Sequence, residues 1–300
     1  MTPGTARRAA FLRPRSLLLL GSLLFPISPN SAHAQEWAQA ALGKSPRHRE
    51  YINITHNGRA VNTFVVYPEV SAKAPVVVLI HEIFGLSDWA KLMADEIAAK
   101  GYIVLAPDLL TGANPSTHIG PAATDGTAAN TTTDAELGGT DSFTSIDATT
   151  KAVSALPPAQ VLADLDAVAD FGLHLPSANR KLAVTGFCWG GGKTFSFATH
   201  RHDLAAAFVF YGPPPPSADM PNIAAPVYGF YAGNDARITV TVPQTTTDMK
   251  SAGKRFDPVI YDGAGHGFMR SGQAPDAKPA DKLAFQQAFV RLADTLKQLR

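Results

Sequence analysis

The chain has 300 residues, 45 % apolar and 17 % charged, with 26 basic and 25 acidic side chains and one cysteine. This excludes collagen, coiled coil, polytopic membrane protein and full disorder. The charge balance gives no bulk attraction to nucleic acid or to a membrane surface, and one cysteine permits neither an intrachain disulfide nor a Cys-cluster zinc site.

Residues 1–34 read as an export signal removed by cleavage. Arg7, Arg8, Arg13 and Arg15 form a basic stretch before an apolar run over 16–27, and Ala32-His33-Ala34 has the small-x-small pattern of a signal-peptidase site. The run spans about a dozen residues, too few to cross a bilayer as a helix. Arg7-Arg8 followed by Phe11-Leu12 is close to a twin-arginine signal with the Phe one place late, so both export routes stay open. Cleavage leaves 22 basic and 25 acidic residues in a periplasmic or secreted protein, with no membrane insertion. A lone thiol in that setting is either buried and inert or kept for chemistry.

Residues 35–300 read as one α/β domain. Apolar and β-branched runs over 51–56 and 61–67 flank Asn57-Gly58, a strong hairpin signal. The unbroken apolar run 75–80 predicts a strand buried on both faces. Asp88 is the expected cap of a helix running to Lys100, with Gly101 as its stop. Further strands are expected at 102–106, 182–185, 207–211, 227–231 and 258–261, with helices between them and a last amphipathic helix over about 282–299. An initial hairpin followed by β-α-β units predicts a mostly parallel sheet with helices on both faces. The stretch 111–156, rich in Thr, Ala, Gly and Asp, reads as an irregular insertion, either a lid or a disordered surface excursion.

The chemistry concentrates at strand ends. The strand 182–185 runs into Gly186-Phe187-Cys188-Trp189-Gly190-Gly191-Gly192, with small residues two places either side of the cysteine. This is the strand-turn-helix context of a nucleophile elbow, with Cys in place of Ser. A helix N-terminus there favours a thiolate through its N–H groups and dipole. In hydrolases of this architecture the order is nucleophile, acid, histidine. Asp235 after the strand 227–231 and His266 in the Gly-rich loop 262–267 satisfy it. His81-Glu82-Ile83-Phe84-Gly85-Leu86 follows the strand 75–80, where such folds place the second oxyanion donor. The Ile83 N–H is therefore expected to pair with that of Trp189. Glu82 is a carboxylate beside the nucleophile that acyl transfer alone does not demand.

The segments His81–Leu86, Ala106-Pro107-Asp108-Leu109, Gly186–Gly191 and Gly265-His266-Gly267-Phe268 resemble the dienelactone hydrolases, or carboxymethylenebutenolidases, over nearly the whole chain after residue 34. The resemblance implies a single-domain α/β-hydrolase fold, a Cys188-His266-Asp235 triad acting through a thioester on an ester or lactone, and no cofactor. It also implies that Glu82 contacts the resting thiol and shifts when substrate binds, and that Phe84 and Arg270 face the substrate. Two arginines hold the dienelactone carboxylate in that family. Arg270 matches the second, but no Arg occurs between Arg59 and Arg180, and Lys151 is the only basic residue between Gly101 and Arg180. Gly267 stands where the family has Ser. A neutral or larger ester or lactone is therefore expected.

The other readings are a broad carboxylesterase with the same catalytic residues, and a non-catalytic hydrolase-fold binding protein with a reactive thiol. The second leaves Asp235 and His266 without a use. A metal site from His200-x-His202 with His81 and Glu82 is disfavoured, because the first pair falls at the opposite end of the sheet. The expected partner is a small-molecule ester or lactone, with no nucleic acid. The oligomeric state stays open, with a monomer favoured.

Overall fold

A computed structural model describes residues 1–2, 35–113 and 137–299. Most of the expected export signal and residues 114–136 of the 111–156 insertion lie outside these residues. The structure is an eight-stranded, mostly parallel sheet with helices on both faces.

Strands β1 (Arg49–His56) and β2 (Arg59–Val66) form the expected hairpin. Asn57 and Gly58 both take positive φ, 47° and 74°, as a two-residue turn matched to strand twist requires. The remaining strands are β3 (Ala74–Ile80), β4 (Ile103–Pro107), β5 (Ala178–Phe187), β6 (Leu204–Phe210), β7 (Val227–Ala232) and β8 (Phe256–Tyr261). Their spatial order is β1-β2-β4-β3-β5-β6-β7-β8, antiparallel from β1 to β4 and parallel from β4 to β8. Every residue of β3 is buried, which accounts for its unbroken apolar run.

The helices are α1 (Glu36–Gly43), α2 (Asp88–Ala98), α3 (Ile146–Ser154), α4 (Pro158–His174), α5 (Trp189–His200), α6 (Ala236–Thr239), α7 (Val242–Ser251), α8 (Phe268–Ser271) and α9 (Pro279–Leu296). One face of the sheet packs on α2 and α9 through Trp89, Met93, Ile97, Ala288 and Leu292. The other packs on α4, α5 and α7 through Val161, Leu165, Val168, Phe195, Phe197 and Met249. Among the described residues no helix is long and apolar enough to cross a membrane.

Three sequence expectations change. The cap of α2 is Ser87, whose hydroxyl accepts from the Ala90 N–H at 3.4 Å. Asp88 is the first helical residue, and its Oδ2 accepts from the Gln35 N–H at 3.1 Å and from the Gln39 amide at 2.9 Å, tying α1 to α2. The insertion is not wholly irregular. Its described part holds a 3₁₀ turn, Thr140–Ser142, and the helix α3, capped by Ser145. Helix α1 was not expected, because its eight residues are mostly small or polar and only Ala38 and Leu42 are buried. It lies against Leu92 of α2.

Candidate active site

Every parallel strand points its carboxyl end at the same edge of the sheet, and the loops there carry the chemistry. Cys188 stands between β5 and α5. To fold the helix back over the strand it takes φ 57° and ψ −115°, a conformation that costs an L-residue about 1–3 kcal/mol. Its N–H donates to the Phe210 carbonyl at 3.0 Å, which fixes the turn against β6. The neighbouring glycines are required by contact. A Cβ on Gly186 would overlap the Gly190 carbonyl and the Thr194 hydroxyl, and one on Gly190 would overlap the carbonyls of Ile80 and His81.

Asp235 leaves the end of β7 as the residue before α6, and His266 lies in the loop after β8. The structure brings them into line with the cysteine. His266 Nδ1 is 2.5 Å from Asp235 Oδ2, and Nε2 is 3.1 Å from Cys188 Sγ. A carboxylate can only accept, so the Nδ1 proton donates to Asp235 and Nε2 is left as the acceptor for the thiol proton. Asp235 is 7 % exposed, which keeps water from competing for that bond.

The loop after β3 is a tight turn. Gly85 donates its N–H to the Glu82 carbonyl at 3.1 Å, closing Ile83 and Phe84 inside it. The N–H groups of Ile83 and Trp189 both reach the Cys188 sulfur and pull the thiol pKa down. Burial and the Glu82 charge oppose them, and the thiol is pushed up to about 11. At neutral pH Cys188 is therefore a protonated thiol. His81, fully buried, donates from Nδ1 to the Glu82 carbonyl at 2.7 Å and stacks on the Trp189 indole at 5.6 Å, holding the two halves of the loop pair together.

Glu82 departs from the expected arrangement. Its side chain does not take the thiol as partner: Oε2 accepts from Arg270 Nε at 2.8 Å, and the thiol faces His266 instead. A buried carboxylate gains more from a charge-assisted bond to guanidinium than from a weak S–H donor. Burial pushes the Glu82 pKa up, with Arg270, His266 and Tyr211 partly offsetting it. Phe84 supports the pair from below, its ring 4.9 Å from the Arg270 guanidinium carbon.

Tyr211 escaped the sequence reading. It ends the run after β6 with φ 38°, is fully buried, and sets its ring edge-on to His266 at 5.0 Å. Its hydroxyl is close enough to help hold the Glu82 charge, but closes no hydrogen bond of ordinary geometry. The signal was a lone Tyr before Gly212 at the end of a buried strand. His200 is the last residue of α5 and pairs with Asp166 Oδ2 at 2.6 Å, at the opposite end of the sheet from His81 and Glu82. Beside the catalytic edge, a cleft of about 460 Å³ is lined by Gln35, Trp37, His266, Arg270 and Lys278 among others.

The family model described as "Dienelactone hydrolase family" matches residues 61–299. The chain belongs to that family. A Methylorubrum extorquens protein named "Putative carboxymethylenebutenolidase" is 29 % identical over 262 residues, covering 82 % of this chain and 80 % of its own length. A Pseudomonas putida protein named carboxymethylenebutenolidase is 23 % identical over 240 residues, covering 80 % of this chain and 93 % of its own. A crystal structure from Klebsiella pneumoniae, named "Putative Dienelactone Hydrolase", superposes with a TM-score of 0.68 at 25 % identity, over 84 % of this chain and 99 % of that one. The chain is thus a hydrolase of the dienelactone hydrolase family with the α/β-hydrolase fold. Helix α1 and the whole of β1 lie before the matched segment.

Proposed function

We propose that this chain hydrolyses a small neutral ester or lactone through a Cys188 thioester. The observation that carries the reading is the Asp235–His266–Cys188 line, at 2.5 and 3.1 Å, with the Ile83 and Trp189 amides reaching the same sulfur. His266 Nε2 takes the thiol proton as sulfur attacks the carbonyl carbon, and Asp235 stabilises the imidazolium that forms. The carbonyl oxygen, now an anion, is held by the two amides. Collapse breaks the C–O bond, and Nε2–H protonates the departing alkoxide. Water then gives a proton to Nε2 and its oxygen to the thioester carbon, releasing the acid and the thiol.

The neutral substrate class follows from Arg270. Its Nε is already committed to Glu82, and no second arginine precedes the nucleophile between Arg59 and Arg180. A carboxylate on the substrate would compete with Glu82 for one cation rather than meet a two-arginine clamp. With residues 35–300 in hand, hydrolysis of a neutral aryl acetate is expected to outpace that of an anionic dienelactone, and iodoacetamide pretreatment to abolish both. Ester turnover that survives full alkylation of Cys188 would sink the thioester reading. Faster turnover of the dienelactone would instead keep the triad and overturn the substrate class.

Residues 1–34 supply the location in this reading: an export signal cleaved after Ala34, delivering the enzyme to the periplasm or beyond. Expression of the full chain in a Gram-negative host is expected to give a periplasmic protein whose intact mass begins at Gln35. A cytoplasmic protein retaining residue 1 overturns the export reading.

A further inference from the structure

Asp108, just after β4, is 9 % exposed, and three donors converge on its carboxylate. The Thr140 N–H donates to Oδ2 at 2.7 Å, while the Thr140 hydroxyl and the Leu110 N–H donate to Oδ1 at 2.9 and 3.0 Å. Thr140 belongs to the insertion, 32 residues along the chain from Asp108. The same hydroxyl that donates to Asp108 accepts from the Leu86 N–H at 2.9 Å. Leu86 follows the turn that contains Ile83. Thr140 is therefore a relay, donor on one side and acceptor on the other, which only a hydroxyl can be at this size.

Contact reinforces the hydrogen bonds. Gly85, at φ 73°, is so close to Thr140 that a Cβ there would overlap its hydroxyl and methyl. Beyond it Phe143 and Val153 of the insertion, both buried, pack with Leu110 into a small apolar cluster that takes in the side chains of Ile83 and Trp189. The two residues whose amides meet the sulfur are thus held from outside by one stretch of chain, 140–153.

We propose that Asp108 and Thr140 are positioning residues for the oxyanion loop: they lock this end of the insertion onto Leu86 and so set where the Ile83 N–H points. The described end of the insertion is in this account a fixed wall of the site. The proposal rests on Cys188 acting as nucleophile. An amide displaced by a fraction of an ångström stabilises a developing oxyanion poorly, whereas binding of the uncharged ester barely changes, so the effect belongs in kcat and not KM.

Thr140→Val removes both hydrogen bonds at nearly constant volume. It is expected to cut kcat for a neutral aryl ester by about tenfold or more, with KM within about twofold. Alkylation of Cys188 by iodoacetamide develops no oxyanion and is expected to slow far less. Thr140→Ser, which keeps the hydroxyl, is expected to recover most of kcat. Equal losses in turnover and alkylation, or no recovery with Ser, would overturn the clamp. If Thr140→Val does not fold, Asp108→Asn gives the same reading: it keeps one acceptor oxygen, and unchanged kcat in that variant would also overturn it. Ester turnover that persists in Cys188→Ala fails the nucleophile reading itself, whereas Cys188-dependent turnover that ignores both variants fails only the clamp.

Discussion

Cys188→Ala is expected to lower ester turnover by about 10⁴-fold or more while leaving the folded protein intact. In the proposed thioester mechanism the size follows from its place at the head of a line of groups that act as a unit: without the sulfur, His266 has no proton to take and the amides of Ile83 and Trp189 no oxyanion to hold. Cys188→Ser is expected to fall by nearly as much. A serine hydroxyl is a shorter group with a much higher pKa, set into a pocket whose burial and Glu82 charge already oppose an anion at that position. Stability separates from activity at this residue. The backbone at φ 57° strains any side chain, so Cys188→Gly is expected to hold the thermal midpoint or raise it while abolishing turnover. Steady-state kinetics with a neutral aryl ester, alongside thermal unfolding of the three variants, checks both halves. Residual turnover above about one per cent in Cys188→Ala would mean that another group attacks.

The parts of this site that could be read from sequence are those where one residue type is forced by backbone geometry. Gly186 and Gly190 are glycines because carbonyls occupy the space of a Cβ, and that necessity marks Cys188 in the bare sequence. Asn57-Gly58 is legible for the same reason, since both residues take positive φ. Strand β3 is legible because burial on both faces permits only apolar side chains. Asp235 and His266 are weaker signals, each following a strand in a Gly-rich loop, and gain meaning only from their order after the elbow.

What could not be read depends on pairings between distant residues. Arg270 reaches Glu82 across 188 positions, and nothing local to either says that they meet. Thr140 sits among other threonines, aspartates and glycines in a stretch that reads as irregular, yet its hydroxyl is one of the most buried in the protein. Helix α3 was hidden by the same composition: Thr149 and Val153 are its only buried residues, too few to give a clear 3.6-residue period. The fully buried Asp164, which accepts from Arg59 Nε at 3.0 Å and lies 2.7 Å from His56 Nε2, ties α4 to the first hairpin in a way no sequence pattern announces. In each case the deciding term is the need of a buried polar group for a partner, and that need is satisfied in space and not in sequence.

The Glu82–Arg270 pair gives the second large effect, and its sign depends on pH. Glu82 is 1 % exposed and its pKa is raised by burial even with Arg270 in place. A carboxyl group with a raised folded-state pKa binds a proton more readily in the folded chain than in the unfolded one. Its favourable contribution to stability is therefore largest at low pH and is lost as the pH rises through the folded value. Arg270→Ala removes the main opposing charge and raises that value further. The variant is expected to lose about 2–3 kcal/mol at pH 8, below the full cost of breaking a buried pair because the guanidinium is partly exposed, and to lose less at pH 5.5, where Glu82 can take a proton. Urea unfolding at the two pH values reads the difference, and an equal loss at both would mean that Glu82 stays ionised without its partner. Glu82→Gln tests the same charge from the side of the thiol. The Glu82 carboxylate raises the Cys188 pKa, so removing it is expected to lower that pKa and to speed iodoacetamide alkylation several-fold at pH 8, part of the gain in thiolate being offset by weaker nucleophilicity. Slower alkylation in Glu82→Gln would reverse the assignment: Glu82 would then be drawing the proton from the thiol, and the bond to Arg270 would be one of two positions it occupies.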